Sequence, residues 1–251
     1  MPLREGSSVP ALVEADDLGH YVVKLRGAGQ GPKALIAELV AGEVARELGL
    51  AVPELVLIEL DRRLAASEPD PELFTSLDAS AGLNLGMDFL PGSITFDPIV
   101  GPVPSSEIAS RIVLFDAFVM NVDRTPRNPN ILLWHGRLWL IDHGAALYFH
   151  HGWRPENRLQ SCTDRFEEIA THVLLPWASQ LRAAAAHLEA TLTADVLNRI
   201  CGQIPASWLA ANVRGSDAPP STEAYASWLQ GRVAALPAFL EEAERARALR
   251  L

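Results

Sequence analysis

The segment of residues 121–144 (NVDRTPRNPNILLWHGRLWLIDHG) constrains the fold more than any other part of the chain. It opens with a polar loop that follows a strongly apolar run, and it continues with two short apolar stretches separated by His135 and Gly136. Two such stretches around a two-residue turn predict a tight β-hairpin over residues 131–141. The Asp-His-Gly triplet at 142–144 then ends the second strand. The segment therefore predicts an irregular loop and a hairpin that hold several acid and amide side chains.

The chain before this segment carries mostly strand signals and one helix signal. Runs of β-branched and aromatic residues bounded by turn residues predict the strands. Apolar residues at three- and four-residue intervals predict the helix, which Gly49 ends. We predict an antiparallel hairpin from residues 8–14 and 20–25, a helix over 33–48, a strand over 54–60, a polar loop over 61–82 and a weaker strand over 83–90.

The remaining chain is predicted to be mainly helical. A strongly apolar helix over residues 105–119 has Ser105 or Ser106 as its N-cap, and Ala-rich amphipathic segments follow after the hairpin. These segments lie near residues 176–190, 193–201, 222–235 and 237–250. The sequence thus predicts an α+β fold whose β-rich N-terminal part and mainly helical C-terminal part divide near residue 92.

Composition and charge restrict the partners. The 251 residues carry a formal net charge of −10, and so acidic a surface disfavours nucleic acid or an anionic membrane as a partner. No apolar run approaches the roughly 20 residues of a membrane-spanning helix, and the N-terminus lacks the apolar core of a secretion signal. Cys162 and Cys201 match no metal or redox spacing and are predicted to be buried free thiols. We therefore expect a cytoplasmic protein.

Asp123, Asn128, Asn130 and Asp142 concentrate the chemical signal of the chain. Carboxylate and amide oxygens are ligands that suit Mg²⁺, and an Asp that is not bound to metal can orient or deprotonate an attacking hydroxyl. Protein kinases divide the work in this way, with an Asp-x₄-Asn loop followed by a strand pair and a metal-binding Asp-x-Gly. The spacing of these residues therefore indicates phosphoryl transfer.

Protein kinases also need a Lys on an N-lobe strand that binds the α- and β-phosphates, and a Glu on the next helix that holds this Lys. Lys24 and Glu38 fit this requirement. The chain contains 19 arginines and only two lysines, so a retained Lys indicates a need for a compact ammonium group. Lys24 lies on a predicted strand, and Glu38 follows fourteen residues later at the border of the apolar stripe of the predicted helix. Glu43 and Glu47 fit a solvated helix face better. Glu38 therefore needs a partner, and Lys24 is the nearest candidate.

Residues 21–54, residues 121–147 and, more weakly, residues 204–209 resemble the HipA-like kinase family. The DR…NIL…IDHG pattern is also similar, more loosely, to phosphoinositide lipid kinases. The resemblance implies a bilobed, protein-kinase-like fold that uses ATP and Mg²⁺, with an N-lobe over residues 1–91 and a C-lobe over 92–251. It implies that Lys24 binds nucleotide phosphates and that Glu38 positions Lys24. It also implies that Asp123 is the catalytic base and Asp142 a Mg²⁺ ligand.

The amide ligand of the metal has two candidates. Spacing from Asp123 favours Asn128, which we prefer, whereas the Asn-Ile-Leu context favours Asn130. The glycine-rich turn at 26–32 matches neither a dinucleotide nor a P-loop motif, and it is predicted to be a flexible turn or a loop that closes over a ligand. It follows the lysine strand, so Ser7 and Ser8 are better candidates for covering the phosphates.

The remaining polar residues of this region are expected to have ordinary roles. His143 stands where the usual motif has Phe, and its imidazole is expected to pack there or to add a hydrogen bond. Arg124 and Arg127 are predicted to be solvated loop arginines, with contact to the transferring phosphate as the alternative. Residues 150–151 (HH) are predicted to be surface or loop histidines.

The predicted function is a kinase that transfers the γ-phosphoryl group of ATP to a hydroxyl group, with Ser/Thr of a protein as the preferred acceptor. A nucleotide-binding pseudokinase or scaffold, a small-molecule kinase, an AMP transferase and an interaction module without nucleotide remain as alternatives. For a toxin, the resemblance implies a DNA-binding antitoxin as partner. We expect this chain to start directly at the nucleotide-binding hairpin, and an antitoxin-like partner is therefore not expected.

Overall fold

The structure, a computed structural model, describes residues 10–29, 31–66, 68–154, 157–210 and 220–250. Its N-terminal part contains a four-stranded antiparallel sheet in the order β1-β2-β4-β3. The strands are β1 (Ala11–Glu14), β2 (His20–Lys24), β3 (Leu55–Leu60) and β4 (Gly82–Asp88). All four were predicted. Strand β2 is internal to the sheet, between β1 and β4, and its last residue, Lys24, pairs with Leu85.

Helix α1 (Pro32–Glu47) follows the glycine-rich turn, as predicted. Gly31 precedes it with a φ of 68°, a conformation that glycine adopts without strain, and Pro32 occupies the first turn. Residues 35–42 of the helix are all buried. Helix α1 is therefore a core element, and a charged residue within that stretch must find an internal partner.

The prediction of a loop over residues 61–82 is wrong, because this region contains helices α2 (Arg63–Ala66) and α3 (Pro71–Ala79). Asp70 caps α3 by accepting hydrogen bonds from the backbone N–H groups of Glu72 and Leu73 at 2.9 and 3.3 Å. No residue of α3 is fully buried, and Leu77 packs only partly against the cluster of Val23, Leu25 and Leu60, so the apolar signal of this short helix is weak.

The C-terminal part begins with strand β5 (Ile94–Thr95) and helix α4 (Ser106–Val119), which Ser105 caps. Strands β6 (Ile131–Trp134) and β7 (Arg137–Leu140) form the predicted hairpin around residues 135–136, whose φ values are 48° and 72°. Strand β5 was not predicted. It pairs with β6, so the hairpin becomes a three-stranded sheet.

The rest of the described chain is helical, as predicted, and it completes the core. Trp208 and Trp228 are fully buried, and Cys162 and Cys201 are buried, as predicted. Short 3-10 helices lie at Tyr148–Gly152, Glu167–Thr171 and Leu175–Trp177. The helices are α5 (Arg158–Cys162), α6 (Leu181–Thr191), α7 (Ala194–Cys201), α8 (Ala206–Ala210), α9 (Thr222–Ala234) and α10 (Leu236–Ala248).

One large hydrophobic core joins the two parts of the molecule. It contains the apolar residues of α1 and α4 together with those of the C-terminal helices. The architecture is α+β, with small antiparallel sheets toward the N-terminus and helices toward the C-terminus, which confirms the predicted fold class. Within the described ranges, no helix combines the length and apolar character needed to cross a bilayer.

Candidate active site

A cleft of about 1060 Å³ lies between the four-stranded sheet and the β6–β7 hairpin. Apolar side chains from both sides line it, Val22 and Met87 from the sheet, Ile131 from β6, and Ile141, the residue after β7. Five of the predicted site residues also line this cleft, namely Lys24, Asp123, Asn128, Asn130 and Asp142. The cleft therefore combines apolar walls with a set of polar groups, as ligand sites in proteins generally do.

Lys24 binds two carboxylates that come from distant parts of the sequence. Its Nζ lies 2.6 Å from Glu38 Oε2 and 2.6 Å from Asp142 Oδ1. The Lys24 side chain is nearly buried, and burial alone would lower its pKa. The charges of Glu38 and Asp142 outweigh burial and raise the pKa of Lys24 to about 12. The cleft therefore holds a permanently charged ammonium group.

Glu38 is the buried member of this group, with 1% of its surface exposed. Burial would raise its pKa, but the charge of Lys24 and a hydrogen bond from His143 hold the pKa of Glu38 well below its usual range. His143 Nδ1 lies 3.3 Å from Glu38 Oε1, and the imidazole packs edge-on against Phe115 with ring centroids 5.8 Å apart. His143 thus does both things expected of it, packing and hydrogen bonding.

Asp123 lies in the loop after α4, and two amides hold one of its oxygens. Asn128 Nδ2 donates to Asp123 Oδ2 at 2.8 Å, and Asn130 Nδ2 donates to the same oxygen at 3.4 Å. The backbone N–H of Asp123 donates to Asn121 Oδ1 at 3.2 Å. No side chain in the described part of the chain bonds Asp123 Oδ1, so this oxygen is available to a ligand in the cleft.

The oxygen atoms around Asp142 fit a hard divalent cation. Asp142 is half-exposed and gives only Oδ1 to Lys24, and each amide that donates Nδ2 to Asp123 keeps its own Oδ1 as an acceptor. In the described ranges, no three His, Cys, Asp or Glu side chains form a metal cluster. Mg²⁺ needs only one or two carboxylates when phosphate oxygens and water complete its shell. Asp142 with Asn128 or Asn130 would therefore suit Mg²⁺.

Arg124 is buried, so its prediction as a solvated loop residue is wrong. Its Nε donates to Asp116 Oδ2 at 2.6 Å, and its Nη1 donates to the backbone carbonyl of Asn130. His172 Nε2 lies 2.8 Å from the same Asp116 oxygen. Burial would raise the pKa of Asp116, yet Arg124 and His172 lower it to about 2. The network anchors the Asp123 loop to α4.

In the sequence, only Asp116 indicates that such a network exists, because it is an acidic residue inside a strongly apolar helix. Such a residue requires a cationic partner, but spacing alone does not identify Arg124 or His172. Arg127, in contrast, is exposed at the edge of the cleft, as predicted for a solvated arginine.

His150 is a core residue, which contradicts its prediction as a surface or loop histidine. Its Nδ1 lies 3.0 Å from Tyr225 Oη, and its Nε2 lies 3.2 Å from His151 Nε2. Burial, with smaller contributions from His151 and Lys33, holds the pKa of His150 well below its usual value. The imidazole is therefore neutral at neutral pH.

Two predicted phosphate-covering residues, Ser7 and Ser8, lie outside the described residues. The glycine-rich turn contributes Gly29 and Gly31 to the cleft wall. This turn therefore lies beside the same cavity as Lys24, although it follows the lysine strand in sequence.

Comparison with known proteins agrees with this geometry. A family model described as HipA-like kinase matches residues 1–227. The crystal structure of the Helicobacter pylori proinflammatory kinase CtkA is similar to this structure with a TM-score of 0.59 and 13% sequence identity, over 100% of this chain and 95% of that chain. At that identity the likeness is one of fold. No curated protein matches the chain in sequence. Because the family model covers most of its length, the chain belongs to the HipA-like kinase family.

Proposed function

We propose that the protein transfers the γ-phosphoryl group of ATP, with Mg²⁺, to the hydroxyl of a protein Ser or Thr. The observation that most supports the proposal is the double contact of Lys24 Nζ with Glu38 and Asp142, at the edge of a cleft that Asp123 also lines. In this proposal residues 1–91 form the nucleotide-binding N-lobe and residues 92–251 the C-lobe. Ser7 and Ser8 remain proposed contacts to the nucleotide.

Lys24 would bind the α- and β-phosphates through its ammonium group. Its pKa of about 12 keeps it charged throughout the physiological range, and Glu38 fixes its position from the buried side. Phosphoryl transfer depends mainly on such positioning and on charge stabilisation. A Lys suits this role because a single charged nitrogen can bond phosphate oxygens and carboxylates in turn.

Asp123 would act as the general base or orienting group for the acceptor hydroxyl. Its Oδ2 is held by Asn128 and Asn130, so Oδ1 is the oxygen that receives the hydroxyl proton. Asp142 and one of the two amides would hold Mg²⁺, which supplies positive charge to the phosphates when it is bound. The net charge of −10 favours a basic protein segment as acceptor.

The first experiment is a thermal melt with ATP in the presence and absence of Mg²⁺, on the native chain and on Asp142→Ala. ATP at about 100 times its dissociation constant should stabilise the native chain by roughly 2.7 kcal/mol. We expect the Mg²⁺-dependent part of this shift to disappear in Asp142→Ala. Asp78→Ala, which removes a surface ion pair with Arg62, is the matched control and should keep the shift.

Labelled ATP then separates the possible reactions. Transfer of label from γ-labelled but not from α-labelled ATP to basic Ser/Thr peptides supports the proposal. Label from α-labelled ATP would identify an AMP transferase instead. A nucleotide-dependent melting shift without any transfer would identify a pseudokinase, and the absence of any shift would contradict a nucleotide site.

A further inference from the structure

We infer that His143 is a positioning residue that fixes the Glu38 carboxylate, and through it Lys24, for binding the phosphates of ATP. This inference rests on the proposed function and deepens it. His143 would act through Glu38 and would not touch the nucleotide.

Three contacts link four side chains, and the peptide bond between Asp142 and His143 closes the loop. Lys24 bonds Glu38 Oε2 and Asp142 Oδ1, and His143, the neighbour of Asp142 in the chain, lies 3.3 Å from the other Glu38 oxygen, Oε1. The segment after β7 therefore contacts the Lys24–Glu38 pair at both ends. Strand β2, helix α1 and this segment cannot shift separately without breaking one of these bonds.

The backbone of the segment is shaped to make both contacts at once. Asp142 has a φ of 54°, in the left-handed region that residues other than glycine rarely adopt. The carbonyl of His143 accepts a hydrogen bond from the N–H of Ala146 at 2.9 Å, which closes a turn directly after it. This conformation directs two consecutive side chains onto the same Lys–Glu pair.

The imidazole supplies something that an aromatic hydrocarbon ring would not. A fully buried carboxylate oxygen without a hydrogen bond is costly, and Nδ1–H of His143 is the donor that satisfies Glu38 Oε1. His143 Nε2 is buried and has no partner among the described residues, so its only polar contact is the one with Glu38. The ring packing against Phe115 would be kept by Phe, but the hydrogen bond would be lost.

Two substitutions separate the hydrogen bond from the packing. His143→Phe keeps a ring and removes the donor. His143→Asn removes the ring but places an N–H donor on the same carbon, Cγ, that carries Nδ1 in histidine. We would measure kcat and KM for ATP, together with melting shifts produced by ATP·Mg²⁺ and by adenosine, which lacks phosphates. Melts without ligand establish that each variant is folded.

We expect His143→Phe to lower kcat/KM for ATP by about tenfold or more, the size of one lost hydrogen bond to a charged group. Its ATP·Mg²⁺ shift should shrink while its adenosine shift stays unchanged. His143→Asn should retain both properties to a larger extent. In a Glu38→Ala background, His143→Phe should have no further effect, because the group that it positions is absent.

The inference is overturned if His143→Phe matches the native chain, or if the adenosine and ATP shifts fall together, since either result would make His143 a packing residue only. A native chain that binds ATP but transfers no phosphoryl group would contradict the proposed function. The comparison of ATP and adenosine shifts would still decide the role of His143 in that case.

Discussion

Arg124 Nε lies 2.6 Å from Asp116 Oδ2, and both side chains are fully buried. Arg124 directly follows Asp123, and Asp116 belongs to helix α4. Asn121 strengthens this connection, because it donates to Asp116 Oδ1 at 2.9 Å and accepts from the backbone N–H of Asp123. A buried ion pair and the hydrogen bonds of Asn121 therefore anchor the loop that carries the proposed catalytic base to the core.

Asp116→Ala should destabilise the fold by about 3–5 kcal/mol, because it leaves the buried guanidinium of Arg124 without its counter-charge. Urea denaturation of the native chain and of the variant measures this difference. Glu107→Ala removes a partly exposed ion pair with Arg111 on the same helix and is the matched control, with a much smaller expected effect. Equal effects of the two substitutions would show that the buried pair has no special structural role.

The sequence predicts the Lys24–Glu38 pair but not the contacts of Asp116. Lys24 and Glu38 are predictable because each lies on a strongly patterned element and only a glycine turn separates them. Asp116 and His172 stand 56 residues apart, and no periodicity connects them. Helix α3 escaped prediction because none of its residues is fully buried and its start is marked by the Asp70 cap. Local pattern therefore predicts the elements, whereas long-range polar pairing requires the fold.

Acid should destabilise the protein in part through His150. Its pKa in the fold lies well below the value of 6.5 for a free imidazole, so the unfolded chain binds more protons below that pH. The free energy of unfolding should therefore fall as pH decreases below 6.5, by up to about 1.4 kcal/mol per pH unit for this one group. The contribution is fully present above pH 6.5.

His150→Phe tests this assignment through the slope of stability against pH. Denaturation at several pH values should show a shallower decline for the variant below pH 6.5. Between pH 7 and 8 the two curves should run parallel, whatever the stability of the variant. Identical slopes below pH 6.5 would mean that His150 is not the titrating group.

Lys24→Met should abolish phosphoryl transfer and also destabilise the fold by about 3 kcal/mol, because the buried Glu38 carboxylate loses its partner. A double variant, Lys24→Met with Glu38→Met, replaces the buried pair by apolar side chains of similar size. It should recover much of the stability without any activity. Recovery of activity in the double variant would show that Lys24 has no role in transfer.

Asp123→Asn should separate nucleotide binding from turnover. The substitution keeps the size of the side chain and removes the proton acceptor, so kcat should fall by about 10²–10⁴-fold. The ATP·Mg²⁺ melting shift should persist, since neither Lys24 nor Asp142 is changed. Loss of the ATP·Mg²⁺ melting shift in Asp123→Asn would contradict the assignment of Asp123 as the base and would place it in the nucleotide or metal site.

Asn128→Ala and Asn130→Ala distinguish the two candidate metal ligands. Asn128 is exposed, whereas Asn130 is nearly buried and has a φ of 49°. Replacing Asn130 by Ala at this positive φ should lower the melting temperature through backbone strain alone. The informative quantity is therefore the Mg²⁺ concentration at half of the maximal ATP-dependent shift. We expect Asn128→Ala to raise it about tenfold and Asn130→Ala to change it much less. The opposite order would make Asn130 the ligand and leave Asn128 to hold Asp123 Oδ2.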